Sequence, residues 1–257
     1  MQNYKIMSCN LRCDCESDGI NSFTNRRPFI LEKLRKYSPD VIGFQEIRPR
    51  MYDWLIENFD EYTFVGGGRG RNRDDEAVCV AFRKDKFYLC DAETFWLSAT
   101  PDIPGSRYTG DQSPCPRICT SVTLKPRGGD PFRFYNVHTD HVGKVARVLA
   151  SNQVLQKISS DNEKSLMPFF VTGDFNAPPE DLCITTMLGY PAVKLVDLAE
   201  ESGFTFHGFG QYADPVNKID YIFAPADMKH GELVVCCDEK DGVFISDHFP
   251  IMVEVTF

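Results

Sequence analysis

The segment FVTGDFNAPPED, residues 170–181, ends an apolar run on Asp174 and Asn176, two positions apart, and then breaks on two prolines. In a strand, alternate side chains share a face, so Asp174 and Asn176 converge while Phe175 packs away from them. Burying a carboxylate costs several kcal/mol unless something compensates. A bound cation would do so. So would a helix start, because Asp and Asn often cap helices. The same ending recurs along the chain. IMSCNLR carries Asn10, VIGFQEI Glu46 and FYNVHTDH His138; NKIDYIF places Asp220 near its start, and VFISDHFPI supplies Asp247 and His248. The last two point to opposite faces of a regular strand, although both can border one cavity at a strand entrance.

Each residue alone has an ordinary reading: Asn10 a turn former, Glu46 half of a surface ion pair, His138 a core histidine, Asp174 a helix cap. Together they multiply the desolvation cost, and a ligand cluster is where that cost is compensated. Carboxylates and amide oxygens are hard donors suited to Mg²⁺ or Mn²⁺. HTDH, residues 138–141, offers His138 and His141 at a spacing that invites zinc, but no cysteine or third histidine completes such a site.

The elements that must position these residues are mostly strands. Nine apolar runs read as strands: 4–11, 40–47, 76–83, 118–125, 132–139, 168–175, 218–225, 232–238 and 249–257. Helical periodicity covers 26–37, with Phe29, Ile30, Leu34 and Tyr37 on one face. It also covers 143–158, with Val145, Val148, Leu149, Leu155 and Ile158. A shorter helix is expected over 49–59, with Pro49 in its first turn, and KPRGGDPF reads as a hairpin loop. Strands that outnumber helices, with helices between some of them, imply two sheets packed face to face with helices outside. No linker or repeat divides the 257 residues, so one domain over 1–257 is expected.

Composition narrows the function. The net charge is −9, from 28 Lys+Arg against 37 Asp+Glu, which weighs against a protein that grips nucleic-acid backbone non-specifically. Mean hydropathy is −0.29, and no run approaches the roughly 20 apolar residues of a membrane span. The N-terminus lacks a charged head and apolar block, so a cytoplasmic location is expected. Of the ten cysteines, Cys9, Cys79, Cys119 and Cys236 lie in apolar runs as small hydrophobes, which favours free thiols. Nothing marks a protein partner.

At CNLR, GFQEI, NVHTDH, TGDFNAPP, KIDYIF and SDHFPI the sequence resembles the endonuclease/exonuclease/phosphatase superfamily, in that order and over residues 9 to 250. FWLSATPDIPGS and SPCPRICT resemble a bacterial branch of it. The resemblance implies an α/β fold, a four-layered α/β/β/α sandwich of two packed, mostly antiparallel sheets flanked by helices. It implies a metal-dependent hydrolase of phosphoric esters, with Mg²⁺ or Mn²⁺ held by Glu46, aided by Asn10 and Asp247. Asp174 and Asn176 would orient or activate water and contact the phosphate. His248 held by Asp220, and His138 held by Glu76, would form two imidazole–carboxylate pairs, and Arg117 in CPRIC would face the phosphate. The base, Asp174 or His248, and the number of metals stay open.

Departures refine this. The Cys-Asp-Arg signature of inositol phosphatases is absent, as is the aromatic hairpin of sphingomyelinases; KIDYIF and SDHFPI resemble deadenylases, without leucine-rich repeats. The loop GGGRGRNRDDE, residues 66–76, brings three arginines near the cleft, either as a solvated loop or to recognise a substrate phosphate. With the acidic balance, the expected substrate is a small phosphorylated metabolite or short nucleic acid, hydrolysed as a monoester or diester by metal-assisted attack of water. The alternative is a silent phospholigand or nucleic-acid binding module of the same fold.

Overall fold

All nine expected runs form strands in the computed structural model, which describes residues 2–212 and 218–257. They are β1 (Asn3–Asn10), β2 (Val41–Ile47), β4 (Ala77–Arg83), β6 (Ile118–Pro126), β7 (Phe132–His138), β8 (Phe169–Asp174), β10 (Asp220–Pro225), β11 (Lys229–Val235) and β14 (Ile251–Thr256). Five more strands left weaker sequence signals: β3 (Tyr62–Val65), β5 (Phe87–Trp96), β9 (Leu195–Asp197), β12 (Glu239–Lys240) and β13 (Val243–Phe244). β5 lies at a sheet edge with its middle exposed, so it lacks the alternation that marks a half-buried strand. The others are too short to show a period.

The strands build two six-stranded sheets, β11-β14-β1-β2-β4-β3 and β5-β6-β7-β8-β10-β9. Within each, one neighbouring pair is parallel, β1 with β2 and β7 with β8, and the other pairings are antiparallel. Three apolar clusters define the layers. One, with Ile6, Val80, Phe134, Phe170 and Val253, fills the space between the sheets. A second packs helices α1 (Phe23–Tyr37) and α2 (Pro49–Asn58) on the first sheet through Phe29, Ile30, Met51 and Leu55. The third packs α3 (Lys144–Lys164) and α4 (Leu182–Leu188) on the second through Val154, Leu155, Ile158 and Ile184. The result is an α/β/β/α sandwich. Burying each large apolar side chain contributes roughly 1.5–3 kcal/mol.

Two local expectations are revised. In α3, Leu155 and Ile158 face the core as the periodicity predicts, but Val145 and Leu149 are exposed. Ala146 and Ala150 take the inward face instead, because Arg147 turns inward to reach the Asp140 carbonyl and Asp181. The helix after the PPED stretch is capped by Asp181, whose side chain accepts from the Cys183 amide, and not by Asp174. The loop after β6 is a hairpin turn as expected, with Gly128 at φ 87°.

Polar groups bolt the two sheets together. The Asn136 amide on β7 donates to the carbonyls of Phe44 (2.8 Å) and Cys79 (3.0 Å) in the opposite sheet. Its oxygen accepts from Gln45 (2.7 Å) and Thr172 (3.1 Å). This contact explains the glycine within VIGFQEI: a Cβ on Gly43 would lie 2.2 Å from Thr172 Oγ1 and 2.5 Å from Asn136 Oδ1. All ten cysteines are free, with Cys9, Cys79, Cys119, Cys183 and Cys236 buried.

Asn136→Leu keeps the branched outline of the side chain but strips buried partners from both sheets. It should destabilise the fold by about 2–4 kcal/mol, read as a lower urea midpoint at unchanged m-value. An unchanged midpoint would show that the bolt is dispensable.

Candidate active site

The parallel pairs determine where the chemistry collects, because parallel neighbours finish at the same edge of a sheet. On β1 and β2, Asn10 lies opposite Gln45, with Glu46 one residue further on. On β7 and β8, His138 lies opposite Asp174. β10 runs antiparallel to β8, so its first residue, Asp220, also lies opposite Asp174. The segment before β14 adds Asp247 and His248, the latter bridged to Phe206.

Two residues reach the site by breaking regular structure. β2 slips by one residue against β4 between Phe44 and Ile47, and Glu46 adopts φ 63°. Such a bulge re-aims a side chain, and a left-handed glutamate stores strain of the kind found at functional sites. Gln45 can then stay on Asn136 while Glu46 turns to the pocket. Likewise β8 ends at Asp174, and Asn176 at φ 50° donates its amide N–H to Asp174 Oδ1 at 2.8 Å. The two therefore converge through a turn and not through strand alternation, while Phe175 is buried in the core.

The contacts form one network. Asn10 Nδ2 donates to Glu46 Oε1 at 3.0 Å and to Asp174 Oδ2 at 2.9 Å; the Cys13 amide donates to Glu46 Oε2 at 2.9 Å. Asn176 Nδ2 donates to His138 Nε2 at 3.1 Å. His248 Nδ1 meets Asp220 Oδ2 at 2.8 Å, and its Nε2 lies 3.8 Å from Asp174 Oδ2. Donor atoms of Glu46, His138 and Asp174 lie within 4.8 Å of one another, as do those of Asp174, Asp220 and His248.

The environments split the titrations. Burial alone would lower His248, but the Asp220 carboxylate, with Asp174 and Asp247, raises it to about 10. It is an imidazolium at neutral pH and a donor. His138 is pushed well below the usual value by burial and by the charges of Arg117 and Arg69, so it is neutral and its Nε2 accepts from Asn176. Burial raises Asp174; His248 opposes that and Asp220 adds to it. Glu46 goes the other way: despite burial, the Cys13 amide, Asn10 and His248 hold it below the usual range.

The remaining sequence-derived residues fall less neatly. Asp247 lies behind Arg12, 3.7 Å from its Nε, and takes the Ser246 hydroxyl at 3.2 Å. Asn10 turns its amide nitrogen, not its oxygen, to the carboxylates; the oxygen accepts from the Arg12 amide. Glu76 does not hold His138. It pairs with Arg69 at 2.9 Å and Arg48 at 3.6 Å. The arginines prevail because a guanidinium compensates a buried carboxylate better than a neutral imidazole does. Arg117 lines the crevice beside His138. His141 is absent from both donor clusters and turns to Arg117, so no zinc pair forms with His138. Two residues at the site were not singled out by sequence. Arg69, one of three arginines in a loop read either as solvated or as recognising a phosphate, is buried, whereas Arg71 and Arg73 are exposed. Arg12 reaches Asp18 and Asp247. A groove of about 790 Å³, lined by Leu166, Phe169 and Phe257 among others, opens at the start of β8, away from Asp174 at its other end.

The chain matches the endonuclease/exonuclease/phosphatase family over residues 7–248. It belongs to that family. Among solved structures, a mannosyl-6-phosphatase from Bacteroides thetaiotaomicron is 29% identical over 99% of this chain and 100% of its own, with a TM-score of 0.91. Another family member from the same species is 29% identical, over 99% of this chain and 97% of its own, at TM-score 0.90. An uncharacterised protein of Acanthamoeba polyphaga mimivirus is 22% identical over 91% of this chain and 92% of its own. Family members are hydrolases, phosphatases or nucleases, and a divalent cation serves the family generally. The donor set here fits one: Glu46 and Asp174 take hydrogen bonds from neutral groups, the shared Asn10 amide and the Cys13 and Asn176 backbone N–H, with the His248 imidazolium 3.8 Å from Asp174, which leaves much of their charge uncompensated. The second cluster does not, because its histidine carries a proton. No helix among the described residues is long and apolar enough to cross a membrane.

His248 makes stability pH-dependent in a defined sense. Its pKa is about 10 folded against roughly 6.5 unfolded. Its contribution is complete below the unfolded value and is lost as pH climbs through the folded one, with a slope of at most about 1.4 kcal/mol per unit for one proton. Urea unfolding in EDTA should show this decline, and Asp220→Asn should flatten it. A decline that persists in Asp220→Asn would remove the pair as its source.

Proposed function

We propose that this protein is a Mg²⁺- or Mn²⁺-dependent hydrolase of phosphoric esters acting on a small phosphorylated metabolite. The observation that carries the reading is the joining of Asn10, Glu46 and Asp174 across the two sheets beside the His248–Asp220 pair. That network would supply what attack of water on phosphorus requires: oxygen donors for a divalent cation, a proton acceptor and a cationic donor. Glu46 would be the principal ligand, with Asp247 near it and Asn10 holding its carboxylate through the amide nitrogen; the cation would supply positive charge to the phosphoryl oxygens and fix their orientation. Asp174 takes the proton of the attacking water. His248 already carries its proton at neutral pH, which favours the carboxyl with the raised pKa as the base. The His248 imidazolium donates to a phosphoryl oxygen, and Asp220 sustains its charge. Asn176 is held at the site by its side-chain N–H groups, which donate to neutral His138 and to the Thr139 carbonyl.

The substrate class rests on two supports. The net charge of −9 disfavours a long polyanion, and a relative 29% identical over its whole length is a mannosyl-6-phosphatase. A hexose 6-phosphate is therefore the first substrate to assay, beside bis-p-nitrophenyl phosphate and a short oligonucleotide.

Hydrolysis should appear with Mg²⁺ or Mn²⁺ and vanish in excess EDTA. Glu46→Ala should abolish the metal response, and His248→Ala should lower turnover by at least about 10². Full activity in EDTA would refute the metal's role. Phosphate-ester binding without turnover by wild type would point to a binding module of the same fold.

A further inference from the structure

Among the described residues Arg26 is the most deeply buried cation, 0% exposed, and its hydrogen bonds run to main-chain carbonyls. We propose that Arg26, near the start of α1, is a positioning residue whose guanidinium ties the turn after β1 to the segment before Asp247, and so holds the two halves of the site in register. The inference rests on the phosphoesterase reading above and concerns how this chain keeps that site assembled.

The guanidinium reaches both segments at once. Its Nε donates to the Asn21 carbonyl at 2.7 Å and its Nη2 to that of Arg12 at 2.9 Å. Nη1 forks, with the Leu11 carbonyl at 2.8 Å on one side and that of Ile245 at 2.6 Å on the other. Leu11 and Arg12 directly follow Asn10, and Ile245 stands just ahead of Ser246, Asp247 and His248. Asn21 clips the same joint. Its side chain donates to the Gly242 carbonyl and accepts from the Phe244 N–H, both at 3.0 Å. A guanidinium presents its N–H groups in one rigid plane, whereas a lysine ammonium is a compact charge on a flexible stem.

The turn held in this way does the aiming. Arg12 adopts φ 53°, and its N–H donates to Asn10 Oδ1 at 2.9 Å. That bond decides which end of the Asn10 amide faces the carboxylates: with the oxygen taken, Nδ2 reaches Glu46 and Asp174. The next residue, Cys13, gives its own N–H to Glu46. Across the joint, the Ser246 hydroxyl donates to Asp247 and accepts the His248 N–H at 3.3 Å. Burying a cation without an ionic partner is costly, so a staple needed for stability alone would be better built from apolar side chains. Here the anions that act most on its charge are Asp247 and Asp18.

The test compares Arg26→Lys with wild type in three measurements. These are Mn²⁺ affinity by calorimetry, urea unfolding, and kcat and KM for a hexose 6-phosphate or, if wild type does not hydrolyse it, bis-p-nitrophenyl phosphate. Arg26→Lys keeps the charge and loses the fork. It should fold with a lower midpoint. Its Mn²⁺ affinity and its kcat should each fall by about tenfold or more, as when the support behind a metal ligand is lost, with KM little changed. A lower midpoint with Mn²⁺ affinity and kcat intact would make Arg26 a stability feature and overturn the proposal. If Arg26→Lys does not fold, Asn21→Ala decides, because it opens the same joint through a smaller side chain. It should lower affinity and kcat in the same direction, and leaving both unchanged would overturn the proposal. A wild type that neither binds Mn²⁺ nor hydrolyses any ester overturns the phosphoesterase reading itself.

Discussion

Like charges crowded at one edge of the sandwich are the constraint from which the rest follows. Glu46, Asp174, Asp220 and Asp247 come from four segments, with the three aspartates buried and Glu46 half-buried. Their repulsion in low dielectric would push them apart unless rigid elements held them and positive charge lay between them. The fold meets the first need with its parallel strand pairs, which lock the strand ends in register. The second is met in part by the His248 imidazolium, by Arg12 behind Asp247 and by the Asn10 amide between Glu46 and Asp174. What remains unbalanced is the electrostatic reason for a cation.

The same constraint divides the histidines. His248 has a carboxylate behind it and is charged; His138 has arginines around it and is neutral. Two imidazoles a short distance apart thus hold opposite protonation states through their neighbours alone. The exchange of partners around Glu76 belongs to this logic. With Arg69 and Arg48 on that carboxylate, His138 is left without its expected anion and serves as an acceptor.

Sequence legibility tracked how local the cause was. Apolar runs such as VIGFQEI and PFFVTGDF announced their strands because burial on both faces leaves a continuous signal. Asp174, His248 and Asp220 were legible because polar groups at the ends of such runs demand compensation. The face of α3 was misread: Arg147 is drawn inward by Asp140 and Asp181, and no helical period encodes partners in other segments. Which of the three arginines in its loop turns inward, Arg69, was unreadable for a related reason. Its loop has the composition of a solvated turn, yet Asp75 and Glu76 fold back on it and the Trp96 indole N–H donates to its carbonyl at 2.7 Å. The convergence of Asp174 and Asn176 was foreseen for the wrong cause, since a left-handed turn does what strand alternation was expected to do.

The buried thiols carry a different consequence. Cys9, Cys79 and Cys236 lie in the cluster under α1 and α2, whereas Cys119 and Cys183 lie in the one under α3 and α4. Burial raises the pKa of all five, so none reacts while its layer stays closed. Each half of the molecule therefore contains its own chemical clock. An alkylating reagent would sample how often either helical layer lifts from its sheet, separately for the two sides.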